Sequence, residues 1–154
     1  MASIRTETTI DARPEDVWEA LRDWAAPHVR LVPGFVVDTQ LDGPDRLVTF
    51  FNGVTLREVL VTLDDTARRL VWSIVDGPYS HHNGAAQVLL DADGTTRFVW
   101  TADVLPDATA ERTKAMMEQG TATVRRTLES ASDRHVGEGL DARGRGPDGE
   151  RRVA

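Results

Sequence analysis

Few side chains in this sequence have both the chemistry and the spacing to act together. Of its four histidines, His82 is the one that strand phase turns inward. After Tyr79 and Ser80, the residues His82, Gly84, Ala86, Val88 and Leu90 alternate onto one face, while His81, Asn83, Gln87 and Asp91 take the other. A histidine beside an apolar cavity can act as a general acid or base, since its ordinary pKa of about 6.5 lies near neutrality. It can equally be a hydrogen-bonded histidine at a cavity rim. Neighbouring His81 and His82 point to opposite faces and cannot share one metal, and no third ligand lies at a recognisable spacing, so no metal site is expected.

Aromatic residues form a second set. Phe98 and Trp100 share a phase with Ala102, as Trp72 does with Leu70 and Ile74, and Tyr79 stands at the entry to the histidine strand. Such faces suit a flat hydrophobic ligand or the filling of a core. Met116 and Met117 bring adaptable side chains to the same region. Arg57 lies on a strand with no cleanly apolar phase. Inward, it would bind a carboxylate or enolate oxygen; outward, it is solvated or paired with a cross-strand acid. Gly120 interrupts the apolar stripe of a long helix, where glycine costs roughly 1 kcal/mol relative to alanine. Either a ligand needs the room or a neighbouring strand approaches closely.

The elements that must position these groups follow from turn signals and periodicity. Asp42-Gly43, Asn52-Gly53 and Asp93-Gly94 separate stretches rich in Val, Leu, Phe, Trp and Thr, the pattern of hairpin-connected antiparallel strands. Strands are predicted over Ser3 to Ile10, Phe35 to Leu41, Arg46 to Phe51, Val54 to Leu63, Leu70 to Val75, Gln87 to Leu90 on the strand that follows Tyr79-Ser80, and Thr96 to Val104: about seven in one curved sheet. Pro14, followed by Glu15 and Asp16, opens a short helix whose Val17, Trp18 and Leu21 form a stripe. A long helix begins after Leu105-Pro106-Asp107 and is predicted to end near Ser130, with Met116, Gly120, Val124 and Leu128 spaced by four. The order is strand, short helix, six strands and a long C-terminal helix, an α+β arrangement in which a bent sheet wraps a helix and leaves a cavity.

Composition limits the function classes. The chain of 154 residues has length for one domain and carries 18 Lys and Arg against 25 Asp and Glu, a net charge of −7 that opposes nucleic acid or an anionic bilayer. With no cysteine there is no disulfide framework, thiolate nucleophile or Cys-ligated metal. No phosphate-binding glycine loop, dinucleotide fingerprint, nucleophile elbow or zinc-protease helix is found, so no cofactor is expected. No signal peptide and no apolar run long enough to span a bilayer appear, and the reading is a cytoplasmic protein without membrane insertion. Residues 1–132 read as the domain. Asp133 to Ala154, with five Gly, five acidic and five Arg residues, read as a disordered tail.

Three segments carry a family resemblance: Thr9-Ile10-Asp11-Ala12-Arg13-Pro14-Glu15-Asp16-Val17-Trp18-Glu19-Ala20-Leu21, Arg57-Glu58-Val59-Leu60 with Leu63-Asp64-Asp65, and Phe98 to Pro106 leading into the last helix. The chain resembles the START-like, Bet v 1-like superfamily, also called SRPBCC or polyketide cyclase/dehydrase-like proteins, over residues 3–131. The resemblance implies a helix-grip fold around an internal cavity. Members include lipid and hormone binders, aromatase/cyclases, isomerase-like and condensing enzymes and chaperone-associated domains, so fold does not select a function. The plant hormone receptors of the superfamily hold a ligand carboxylate with a strand lysine. The one lysine here, Lys114, lies in the long helix, so that chemistry does not transfer. The expected function is binding or transport of a small hydrophobic, aromatic or polyketide-like molecule by a monomer or homodimer. The alternative is a cofactor-independent cyclase, dehydratase or isomerase with His82 as acid or base. The candidate ligand-binding set is Trp72, Trp100, Phe98, Tyr79, Arg57, Met116, Met117 and Gly120.

Overall fold

The computed structural model describes residues 1–141, with side chains to Val136. Seven antiparallel strands form one sheet: β1 Ala2–Ile10, β2 Val36–Asp42, β3 Asp45–Phe50, β4 Thr55–Asp64, β5 Arg69–Ile74, β6 His81–Leu90 and β7 Thr96–Leu105. Their spatial order is β1-β7-β6-β5-β4-β3-β2, so every sequential pair from β2 to β7 is a hairpin and β1 returns to lie beside β7. Helix α1 (Pro14–Arg22) and the single turn α2 (Pro27–Arg30) connect β1 to β2, and α3 (Ala110–Asp141) closes the chain. This is the helix-grip arrangement expected from the alternation of strand and helix patterns. The turn α2 was not anticipated, although Pro27 stands in its first turn where proline is favoured.

Two local features set which residues face inward. The β3–β4 connection is not a two-residue Asn-Gly turn. Phe50 N–H donates to Val54 O, and the loop is Phe51-Asn52-Gly53, with Gly53 at φ +82° where glycine avoids the Cβ clash. That extra residue sets Arg46 opposite Glu58 and Leu47 opposite Arg57. A slip of one residue would reverse every side chain on the strand. Within β4, the register with β5 shifts between Leu60 and Thr62. The bulge resolves the mixed pattern of this strand: Leu56, Glu58 and Leu60 point inward before it, and Leu63 opposite buried Leu70 after it.

Helix α3 packs on the β1 side of the sheet. Met117 joins Ile4, Ala102 and Val104 in one cluster, and Val124 and Leu128 join Ile10 and Phe98 in the larger one. A buried hydroxyl pair, Thr6 Oγ1 to Thr121 Oγ1 at 2.8 Å, ties the helix to β1. Glu129 accepts the backbone N–H of Asp11 at 3.1 Å. The helix runs past Ser130 to Asp141, so residues 133–141, read from composition as tail, are helical here. Asp133 to Val136 are exposed, so the helical geometry extends beyond the buried stripe of the helix. The rest of the expected tail, 142–154, lies outside the described residues.

The Thr6 and Thr121 pair yields a test of the helix-to-sheet seam. Thr6→Val strands one buried hydroxyl and is expected to cost about 1 to 3 kcal/mol. Adding Thr121→Val removes the stranded group, so the double variant should be less destabilised than the sum of the singles in urea unfolding. Simple additivity would contradict the pairing.

Candidate functional site

Because α3 lies over β1 and β7, the concave face of β3 to β6 is left facing a cavity of about 490 Å³. Its walls are mainly apolar: Trp72, Phe98, Trp100, Leu70, Met116 and Met117 line it, with Phe35 and Val36 from the start of β2. Exposed lining residues Asn52 and Val54 on the β3–β4 connection, Pro78 before β6, Ala108 in the turn before α3 and Arg112 in the first turn of α3 mark its opening. Trp72 and Trp100 lie with ring centroids 5.9 Å apart at 50°. Indole and phenyl faces at these positions make the cavity suited to a flat guest.

His82 is the polar group that strand phase identified, and it lines this cavity while only 4% exposed. The β5–β6 ladder ends at Trp72 opposite Gly84. Beyond that point side chains replace it: Ser73 Oγ donates to His82 O, and Ile74 N–H donates to His82 Nδ1 at 3.1 Å. A neutral imidazole has one acceptor and one donor nitrogen. With Nδ1 accepting, the hydrogen sits on Nε2, which makes no hydrogen bond among the described residues. Burial, followed by the nearby charge of His81, pushes the His82 pKa down to about 4. Protonation would also place a hydrogen on Nδ1 against the Ile74 N–H. The ring is thus a neutral, oriented hydrogen-bond donor. Gly84 permits the arrangement: a Cβ there would lie 3.0 Å from Trp72 Cε2 and 3.1 Å from His82 Cε1.

Tyr79 packs against this ring at 5.0 Å between centroids. Its hydroxyl meets Thr113 Oγ1 at 2.8 Å, while Thr113 Oγ1 donates its one hydrogen to Thr109 O at 2.9 Å. Tyr79 must therefore be the donor to Thr113. The bond fastens the start of α3 to the β5–β6 connection near the opening, and it leaves Tyr79 O–H with no hydrogen to offer a guest.

Two expected residues lie elsewhere. Arg57 points away from the cavity, its guanidinium held by Asp42 at 2.6 Å and Asp45 at 3.0 Å; of the two alternatives, the cross-strand pair is the one observed. Those two acids raise its pKa. Gly120 is buried but opens no space for a guest, because a Cβ there would lie 2.7 Å from Trp100 Cζ3 and 3.3 Å from Phe35 Cε1. The close approach is by the Trp100 ring rather than by strand backbone, so glycine makes room for the edge of the indole against the helix.

The structure adds two residues that the sequence reading did not select. Arg46 and Glu58 are buried, line the cavity and form an ion pair, with Arg46 Nε and Nη2 at 2.7 and 2.6 Å from Glu58 Oε2. The guanidinium is backed by the Trp24 ring, 3.7 Å from its centroid, and donates to Trp24 O at 3.2 Å. Each charge sits on an otherwise apolar phase, Arg46 with Val48 and Phe50 and Glu58 with Leu56 and Leu60. That anomaly was the available signal. Among the described residues, no group of three or more His, Cys, Asp or Glu could hold a metal ion, and no helix is long and apolar enough to cross a membrane.

Residues 1–130 match the family described as polyketide cyclase / dehydrase and lipid transport. The chain belongs to this family. Solved structures share the fold. An uncharacterised protein from Bacillus thuringiensis superposes with a TM-score of 0.73 at 19% identity, over 82% of this chain and 98% of its own. Protein XoxI from Bacillus cereus gives 0.73 at 21% identity, over 86% and 96%. A Thermobifida fusca protein gives 0.70 at 29% identity, over 87% and 95%. No curated protein matches the chain. Within a family whose description spans catalysis and transport, the cavity chemistry must carry the functional argument.

The low pKa of His82 has a consequence for stability. The unfolded chain takes up this proton near pH 6.5 and the folded chain only near 4. Stability is therefore complete above about pH 6.5 and falls as the pH drops to about 4, by roughly 3 kcal/mol for this one group. His82→Asn keeps an acceptor near Ile74 N–H and removes the titration, so urea unfolding of the two proteins at several pH values should diverge over that window. Parallel pH profiles would contradict the assignment.

Proposed function

We propose that this protein binds a small, flat, largely apolar molecule carrying a carbonyl oxygen, in the manner of a binding or carrier protein, with His82 Nε2–H as the donor to that oxygen. Trp72, Phe98 and Trp100 supply the stacking and apolar surface, and Met116 and Met117 adapt to its outline. An aromatic or polyketide-like ketone meets this description. One observation carries the reading: a buried donor whose direction is fixed by a backbone bond to its other nitrogen, on the wall of an apolar cavity. Such a donor orients a guest without competition from water.

The same observation weighs against a cyclase, dehydratase or isomerase in which His82 moves the proton. Nε2 has no lone pair to receive one, and Nδ1 is engaged by Ile74. The family description supports small-molecule binding in general; the ketone preference rests on His82.

Native mass spectrometry of freshly purified protein should detect a co-purified small molecule. Titration with an acetylnaphthalene, followed by quenching of tryptophan fluorescence, should give saturable binding. His82→Asn should weaken it about three- to tenfold, the value of one hydrogen bond, with the compound recovered unchanged. Unaltered affinity in the variant, or conversion of the compound by the wild type but not the variant, would overturn the reading.

A further inference from the structure

Across the concave face of the sheet, four inward side chains stand in one row. Arg46 on β3 pairs with Glu58 on β4, Glu58 with Ile74 on β5, and Ile74 N–H binds His82 on β6. Glu58 and His82 are therefore two strands apart, about 10 Å between backbones at ordinary strand spacing. On a concave surface their tips lie closer than their backbones. The Ile74 side chain forms an apolar floor between them, and all four residues line the cavity.

The ion pair in this row has an unusual form. A guanidinium fork commonly engages both oxygens of a carboxylate. Here the closest approaches of Arg46 Nε and Nη2 are both to Oε2. Glu58 Oε1 has no hydrogen-bond partner among the described residues, although its side chain is only 6% exposed. Oε1 keeps contact with the open space of the cavity, and a carboxylate oxygen on an otherwise apolar wall gains from a donor there. Because Glu58 lines the cavity, a guest is the available source of that donor.

We propose that Glu58 Oε1 is a second polar subsite of the cavity and accepts a hydrogen bond from a neutral hydroxyl group on the guest whose carbonyl binds His82. This rests on the ligand-binding reading above and extends it to a ligand class: hydroxylated aromatic carbonyl compounds of about two fused rings, polar at both ends and apolar between. The charge balance selects a neutral hydroxyl over an ammonium or a carboxylate. A cation at Oε1 would stand beside the Arg46 guanidinium, and an anion would meet the Glu58 charge. Trp24, holding Arg46 from behind through its ring and its carbonyl, keeps the arginine from swinging to the open oxygen.

The test compares three acetylnaphthalenes bearing a hydroxyl, a methoxyl or a hydrogen on the ring distal to the ketone, by calorimetric titration. Wild-type protein should bind the hydroxyl compound about tenfold or more tightly than the other two, as expected for a hydrogen bond to a charged acceptor. In Glu58→Gln the amide oxygen stays with Arg46 and the NH₂ faces the guest, so preference for hydroxyl over methoxyl should fall to about one. Since Glu58→Gln weakens a buried pair and can compromise folding, Arg46→Met/Glu58→Leu is the second variant. Replacing both charges with apolar groups commonly preserves the fold, and this variant should retain ketone binding while losing the hydroxyl preference. Equal affinity of wild type for the three compounds, or a hydroxyl preference that survives in a folded variant, overturns the subsite alone. Failure of all three to bind wild type overturns the ligand reading and the subsite with it.

Discussion

One straight helix cannot cover a curved sheet of seven strands, and the organisation of this protein follows from where the helix is placed. Helix α3 packs through Met117, Val124 and Leu128 on the side of β1 and β7, with Thr121 bonded to Thr6 and Glu129 to the backbone of Asp11. Helix α1 covers part of β6, where Val17, Trp18 and Leu21 join Leu70, Ala86 and Val88 in the core, and the rest of the apolar face of β3 to β6 has no helix directly on it. Its side chains are instead enclosed at a distance by α3, α2 and the residues leading into β2, and the space between is the cavity. Gly120 belongs to the same constraint. It allows the Trp100 ring to approach the helix more closely than a residue with a Cβ would permit.

A cavity lined only by carbon would accept almost any apolar guest. This one is crossed by a polar row whose members are fixed before a guest arrives. His82 is fixed by its role at the end of the β5–β6 ladder, where it serves Ile74 N–H in place of a strand carbonyl. Glu58 is fixed by Arg46, and Arg46 by Trp24. Charges buried in this way gain little net stability over an apolar replacement, because desolvation offsets their attraction. In the proposed binding role their use is directional: a donor at one end, an open acceptor at the other and Ile74 between them. Preorganised groups of this kind raise selectivity because the guest need not order them on binding.

Much of this was legible in the sequence, and the missing part has a physical cause. Alternation placed His82, Trp72, Phe98 and Trp100 on inward phases, and all four line the cavity, because period-two patterning survives wherever a strand is regular. Arg46 and Glu58 were hidden by turn geometry. A two-residue turn at Asn52-Gly53 sets the strands one residue out of the observed register, and only the three-residue loop brings the two charges opposite each other. The bulge after Leu60 blurred the phase of β4 and made Arg57 ambiguous; its acids, Asp42 and Asp45, lie on and beside the preceding hairpin turn, where sequence distance gives no hint of contact. Helix α3 continued beyond its apolar stripe because periodicity reports burial, whereas helical hydrogen bonding can persist without it.

The central claim is that His82 is a neutral donor oriented into the cavity by Ile74. Nitrogen-15 chemical shifts of the His82 ring, followed from pH 8 to pH 3.5 in the unliganded protein, test it directly. The account predicts an unprotonated Nδ1 and a protonated Nε2 at neutral pH, with the second proton arriving only near pH 4. A ring that carries its hydrogen on Nδ1, or that titrates near the ordinary value of 6.5, would contradict it.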